Sequence, residues 1–230
     1  MNPHASDPAA VLWDMDGTLI DSEPYWIAAE KALATRFGVD WTDEDGLELV
    51  GQALPYSAAV LASRGVDLPE VEIIEFLLSS VAADVTERVP WQEDARALLT
   101  EVVSAGIPCA LVTMSYARLA AAFQARAPEA FQVVVSGDEV ERGKPDPEAY
   151  LLAASRLGVE IDRCVAIEDS RAGVRSAVAS GARTLAVRRL TPVERIEGVS
   201  RVRSFEGVDL GTIREIAAGR VIDELDDIDD

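Results

Sequence analysis

The stretch Val11-Leu12-Trp13-Asp14-Met15-Asp16-Gly17-Thr18-Leu19-Ile20-Asp21-Ser22-Glu23 constrains this chain more than any other. An apolar run ends in Asp14, a second acid stands two residues on, and Gly17 follows directly. The pattern predicts a buried strand that delivers a carboxylate to its C-terminal end and then turns at a residue without Cβ. In open α/β sheets, ligands bind beyond those ends. Two acids held side by side there repel each other unless positive charge offsets them. Their oxygen donors suit a divalent cation such as Mg2+. One Asp before a turn, taken alone, marks only a helix cap or an Asx-turn.

Three later segments share this grammar, each with polar residues where an apolar run stops. Ala110-Leu111-Val112-Thr113-Met114-Ser115 offers a hydroxyl and turn N–H groups at a helix start, a ready oxyanion site. Ser115 is read as the cap of that helix. Gly143-Lys144-Pro145-Asp146-Pro147 sets a lysine between a glycine and a proline, which biases its backbone toward extended geometry. It reads as a cation for carboxylates and phosphate, or as a plain helix-entry turn. Val165-Ala166-Ile167-Glu168-Asp169-Ser170 ends another strand in two acids. Asp169 is a candidate metal ligand, and Glu168 a group that binds through water or orients Lys144. Ser170 or Asp169 serves equally as a cap for the next helix.

Between the first and second segments the chain has helical periodicity only. Helices are expected at Tyr25 to Phe37, with Ser22 or Glu23 near the cap, at Thr42 to Val50, at Ser57 to Arg64 and at Glu70 to Arg88. After Trp91 helices and strands alternate: helix 94–105, strand 107–113, helix 118–127, strand 131–135, helix 147–156, strand 164–167, helix 171–179 and strand 183–187. A weaker element at Val202 to Phe205 and a helix at Leu210 to Ala218 follow. Short connections of this kind build an open, mostly parallel Rossmann-like sheet with helices on both faces. The expected organisation is a discontinuous core of residues 8–20 and 91–220, an inserted all-helical cap at 21–90, and an acidic tail at 221–230, frayed at its end and assigned to solubility. Both connections of the insert, near Ile20 to Glu23 and Thr86 to Trp91, fall beside the first acids. A lid over them is therefore favoured above a helical domain that merely adds core.

Composition narrows the partners. An apolar fraction of 49% supports a sizeable core, and a net charge of −20 argues against nucleic acid and anionic membranes. Cys109 and Cys164 lie in apolar runs without metal-ligand spacing and read as buried thiols in a cytoplasmic protein. No stretch reaches membrane-spanning length, and residues 1–7 lack the pattern of a signal peptide. A monomer or weak dimer is expected.

Together, Asp14-Met15-Asp16-Gly17-Thr18-Leu19, Thr113, Gly143-Lys144-Pro145-Asp146-Pro147 and Glu168-Asp169-Ser170 resemble the haloacid dehalogenase-like superfamily of phosphohydrolases. The insert resembles the cap of the branch with beta-phosphoglucomutase, phosphoglycolate phosphatase and sugar-phosphate phosphatases. The resemblance implies Mg2+-dependent hydrolysis of a small phosphorylated metabolite through an aspartyl-phosphate. It makes Asp14 the nucleophile and Asp16 the general acid and base, whose backbone carbonyl also contacts the metal. Thr113 and the backbone N–H groups of Met15, Asp16 and Met114 would bind phosphate, and Lys144 would balance charge. Asp14 and Asp169 would hold Mg2+, supported by Glu168. The superfamily's dehalogenases lack the second aspartate, so Asp16 favours phosphate chemistry over carbon–halogen cleavage.

The lysine, arginine and histidine of beta-phosphoglucomutase caps are absent at Val50-Gly51-Gln52, at the residues after it, and at Tyr25 and Trp26. Hydrolysis is therefore read above a mutase, with a non-catalytic binding protein as a further alternative. Met114, after the phosphate-binding threonine, and Trp91, after Pro90, both depart from the family pattern. Glu23, Tyr25, Trp26, Gly51 and Gln52 are the cap residues expected to select a substrate such as a sugar phosphate. Tyr25 and Trp26 serve equally as cap core.

Overall fold

The structure, a computed structural model, describes residues 7–50 and 53–225. Six parallel strands form one sheet: β1 (Ala10–Trp13), β2 (Cys109–Val112), β3 (Val133–Val135), β4 (Cys164–Glu168), β5 (Arg183–Val187) and β6 (Val199–Val202). Their order is β3-β2-β1-β4-β5-β6. The chain winds outward from β1 to β3, then crosses back to β4 on the other flank of β1. The crevice between β1 and β4 is therefore the switch point of a doubly wound sheet, where such folds bind ligands. Trp13, the last residue of β1, lies opposite Leu111 of β2 and Ile167 of β4, so all three strands stop at one level.

Every residue of β1 is buried, as expected of a central strand covered on both faces. Val11 and Trp13 face one hydrophobic cluster, which α5 (Glu93–Ser104), α6 (Ala117–Gln124) and α9 (Leu210–Ala217) complete. Ala10 and Leu12 face another, closed by α7 (Glu148–Leu157) and α8 (Arg171–Ser180). That second face is built largely of alanines, among them Ala10, Ala110, Ala149, Ala153, Ala166 and Ala177, so the helices approach the sheet closely. Cys109 and Cys164 are both buried and free, and burial pushes their thiols up to about 12 and about 11.

Four helices are inserted between β1 and α5: α1 (Glu23–Arg36), α2 (Asp43–Leu47), α3 (Leu54–Ser63) and α4 (Glu70–Glu87). Thr42 caps α2 in a reciprocal box with Asp45. Leu33, Leu61, Ile73, Leu77 and Val81 bury the faces that these helices turn on one another. The two connections of the insert are bonded together, with Asp21 N–H donating to Pro90 O and Gln92 N–H to Leu19 O, both at 2.9 Å. Trp91 is held there by stacking 5.0 Å from Phe123. Farther out, Arg118 of α6 pairs with Glu75 and Ser79 of α4. The insert is thus seated against the core at its base and along α4.

One local expectation is corrected, and two gain detail. The weak element expected at 202–205 is strand β6 at Val199–Val202, because Ser200 and Arg201 interrupt its apolar run yet are buried. The acidic tail expected at 221–230 is tied down as far as Leu225. Arg201, 1% exposed, holds Asp223 through two contacts of 3.0 and 3.1 Å and also donates to Leu225 O. Glu224 N–H and Arg201 N–H add backbone bonds between this segment and β6. Finally, Ser22 takes the N-cap position of α1 as expected, but its hydroxyl makes no capping bond and donates to Asp16 instead. Among the described residues, no helix is long and apolar enough to cross a membrane.

Candidate active site

Asp14 leaves the end of β1 buried, and its N–H donates to Ile167 O, which fixes it against β4. Gly17 makes the following turn with φ +86, in the left-handed region that glycine enters without strain. Its missing side chain matters twice, because a Cβ there would stand 2.1 Å from Asp169 Oδ2. The turn thereby brings the first loop directly onto the acid at the end of β4.

Lys144 reaches this crevice from the loop before α7. Its ammonium donates to Asp14 Oδ1 and Glu168 Oε1, both at 2.6 Å, and to Val112 O at 2.9 Å. Burial alone would lower the lysine's pKa, but the charges of Asp14 and Glu168 outweigh it and hold the group above its ordinary value. Glu168 is saturated. Besides Lys144 it accepts from Tyr150 Oη at 2.8 Å, and its other oxygen accepts from Ser170 Oγ and from the N–H groups of Asp169 and Ser170. A Cβ on Gly173 would overlap this carboxylate, so α8 approaches it only by way of a glycine. Asp169 is 8% exposed, and among the described residues its carboxylate accepts one bond, from Thr18 Oγ1 at 3.0 Å.

Asp16 sits among hydroxyls. Ser22 Oγ donates to its Oδ1 at 2.5 Å, while Ser115 Oγ at 2.8 Å and Thr113 Oγ1 at 3.2 Å donate to its Oδ2. Ser115 is therefore not the cap expected of it. The N-cap position of α6 is Tyr116, and Asp138 accepts the Ala117 N–H instead. Ser170, by contrast, does cap α8 through the Gly173 N–H. No hydrogen bond from the N–H of Met15, Asp16 or Met114 is found among the described residues, which leaves three donors free around the strand ends. The Met114 sulfur lies 3.2 Å from the Lys144 backbone nitrogen.

The charges do not balance. Four carboxylates, on Asp14, Asp16, Glu168 and Asp169, surround one ammonium. Burial and then the charge of Glu168 drive Asp14 well above the usual carboxylate range against the pull of Lys144. The same two causes push Asp169 up to about 7. Oxygens of Asp14, Glu168 and Asp169 lie within 4.8 Å of one another. Asp14 Oδ2 is buried without a hydrogen-bond partner. An all-oxygen set with an orphaned carboxylate oxygen and excess negative charge fits a hard divalent cation. With Glu168 fully engaged, Asp14 and Asp169 are the two side chains left to hold it.

Asp14, Asp16, Thr113, Lys144, Glu168 and Asp169 are thus brought together. The cap residues are more dispersed. Glu23 is half-buried near Asp16. Tyr25 spends its hydroxyl on Arg88 O at 3.0 Å, and Tyr25 and Trp26 pack against the main core. Gly51 and Gln52 lie outside the described residues. Sequence reasoning did not find Ser22, Thr18 and Tyr150 as partners of the site acids. Only the polar residues just after the first aspartates signalled the first two.

A doubly wound sheet that presents acids from β1 and β4 and a lysine bonded to both, with four helices inserted after β1, has the form of a hydrolase site at the switch point of a parallel sheet. The sequence profile of the haloacid dehalogenase-like hydrolases matches residues 11–187, and the chain belongs to that family. Hexitol phosphatase A of Escherichia coli strain K12 is 36% identical over 199 residues, covering 83% of this chain and 88% of that protein. The N-acetylmuramic acid 6-phosphate phosphatase of Pseudomonas aeruginosa is 34% identical over 184 residues, covering 78% and 81%. The crystal structure of CbbY from Rhodobacter sphaeroides in complex with phosphate superposes with a TM-score of 0.79 at 29% identity, covering 90% of this chain and 99% of that one.

Proposed function

We propose that the protein is a Mg2+-dependent phosphomonoesterase that hydrolyses a small phosphorylated sugar or polyol. The observation that carries this reading is the contact of Lys144 with both Asp14 and Glu168, beside an Asp14 oxygen that has no partner. The phosphatase relatives support the reaction class, and their named substrates support the sugar or polyol.

Asp14 attacks phosphorus, and the bond from phosphorus to the ester oxygen breaks. Asp16 gives its proton to the departing alcohol. A hydroxyl can donate to a carboxylate or accept from a carboxylic acid, so Ser22, Thr113 and Ser115 can hold Asp16 in both of its forms. Asp16 then takes a proton from water, which attacks phosphorus and frees Asp14. The N–H groups of Met15, Asp16 and Met114, with Thr113, would receive the phosphoryl oxygens. Lys144 orients Asp14 and pulls it toward its charged form. Mg2+ held by Asp14 and Asp169, with the Asp16 carbonyl, would supply the missing positive charge and favour the ionised, nucleophilic Asp14. We take residues 21–90 as the cap that excludes water, in a monomer or weak dimer in the cytoplasm.

The test is release of inorganic phosphate from a panel of phosphomonoesters. Turnover with Mg2+, lost in chelator and restored by added Mg2+, is expected. Undiminished turnover in chelator would remove the metal role, and silence across the panel would remove the phosphatase reading.

A further inference from the structure

Arg88, Arg96 and Arg126 line one surface depression of about 300 Å³, together with Glu87, Val89 and Trp91. Small-molecule sites begin at about this volume. None of the acids around Lys144 lines it. The three arginines come from separate segments. Arg88 lies on the connection from α4 to α5, Arg96 on α5, and Arg126 just beyond α6. Trp91, one of the two departures from the family pattern, organises the place. The Arg96 guanidinium lies over its ring, 5.4 Å from the centroid, and Phe123 stacks on it at 5.0 Å.

With 41 acids and 21 basic residues in the chain, an arginine readily finds a carboxylate. Arg175 pairs with Glu194, Arg214 with Asp7 and Arg220 with Glu215. The side chains of Arg88 and Arg126 have neither a hydrogen bond nor an ion pair among the described residues. Arg96 has only Glu93, at 3.6 Å, and a pair so exposed holds weakly. Glu87 lines the depression, yet no ion pair joins it to the three arginines among the described residues. Three like charges gathered without a counter-charge repel one another, and a bound oxyanion removes that cost. Guanidinium forks present paired N–H donors that match phosphate oxygens.

We propose that this depression is a second anion site, separate from the Asp14 centre. It binds a phosphate dianion, free or as a phosphomonoester, and braces the insert against the core. Arg88 belongs to the insert's second connection, while Arg96 and Arg126 belong to the core, so an anion held by all three ties the two together. The same connection is already bonded to the first. Tyr25 Oη donates to Arg88 O at 3.0 Å, and Asp21 N–H donates to Pro90 O. Leu19 O accepts the Gln92 N–H, and Leu19 stands three residues beyond Asp16. Occupancy at the arginines therefore steadies both connections beside the catalytic loop. The site goes beyond the phosphatase reading and is measured without turnover.

The experiment is calorimetric titration with inorganic phosphate and with glucose 6-phosphate, in chelator. Without a divalent cation, the four carboxylates around Lys144 disfavour anions at the catalytic centre. Wild type is compared with Arg88→Gln/Arg126→Gln and with Arg175→Gln/Arg220→Gln, which removes the same charge from exposed arginines elsewhere. Wild type is expected to bind, and the tighter of the two ligands names the source of the phosphate. The first pair of substitutions should weaken binding about tenfold or more, and the second should leave it unmoved. No binding of either ligand, an affinity unmoved by the first pair, or an equal loss in both variants would overturn the site. Hydrogen exchange reads the bracing. Bound phosphate should slow exchange at the Asp21 and Gln92 amides in wild type, and unchanged exchange there would overturn that role.

Discussion

The acids at the sheet edge and the acids of the insert stand in different company. Asp16 accepts three hydroxyls, Glu168 accepts an ammonium, a phenol and backbone N–H groups, and even crowded Asp14 and Asp169 each hold one partner. Among the described residues Glu23 has none, and buried Glu30 has only an indole N–H. The difference is one of preorganisation. Carboxylates already held at defined angles leave little to reorganise when a ligand arrives. The acids of the insert keep more of their bonding capacity unspent. The free acids also cost the folded state something, since burial of a poorly partnered carboxylate is unfavourable.

This contrast can be broken from either side. The largest effect is expected for Asp14→Asn, which keeps the shape of the side chain and its place near Lys144 but removes the nucleophile. Phosphate release should fall by about 10⁴-fold or more with the melting transition retained. Substantial residual turnover would dismiss Asp14 from that role. Next comes Lys144→Met, which leaves Asp14 and Glu168 facing each other uncompensated. A loss in kcat of about 10²- to 10³-fold is expected, deepest at low pH, because without Lys144 the Asp14 carboxyl holds its proton more tightly and the acidic limb of the profile moves to higher pH. A pH profile that stays parallel to wild type would refute the charge-balancing role.

The smallest effect lies in the insert and has the opposite sign. Glu30 has its carboxyl raised from 4.5 to about 7 in the folded protein, so between these values the native state binds more protons than the unfolded chain. Its contribution to stability is complete below the lower value and is lost as pH rises through about 7. Glu30→Gln keeps an acceptor for Trp41 but cannot ionise. It should flatten this part of the pH dependence and stabilise the protein at pH 8 by about 1–3 kcal/mol. Denaturant unfolding at pH 5.5 and pH 8 measures both quantities, and equal slopes for variant and wild type would contradict the assignment.

Much of the frame was legible along the chain, because strand ends, turn glycines and helix caps are local patterns. The run Val11 to Asp16 predicted β1 and its loop, and Arg183–Val187 was read to the residue. Misreadings arose where one local pattern serves two purposes. Ser115 looks like any polar residue before a helix, yet its hydroxyl turns to Asp16, 99 positions away. The element read at Val202 to Phe205 lies instead at Val199–Val202, where the carboxylate that makes the burial of Arg201 tolerable comes from Asp223 in the acidic tail.

The order of residues by itself determined that carboxylates would emerge at two strand ends, that glycine would turn the chain after the first, and that a helical segment would intervene before the sheet resumed. These follow from backbone sterics and hydrophobic period, which act over a few residues. Only the tertiary structure decided which polar atom meets which. Thr18 finds Asp169 across 151 positions, Tyr150 finds Glu168, and Glu23 finds nobody. Such pairings depend on how helices and loops pack over the sheet, and a hydrogen bond reaches only about 3 Å, so no local pattern encodes them.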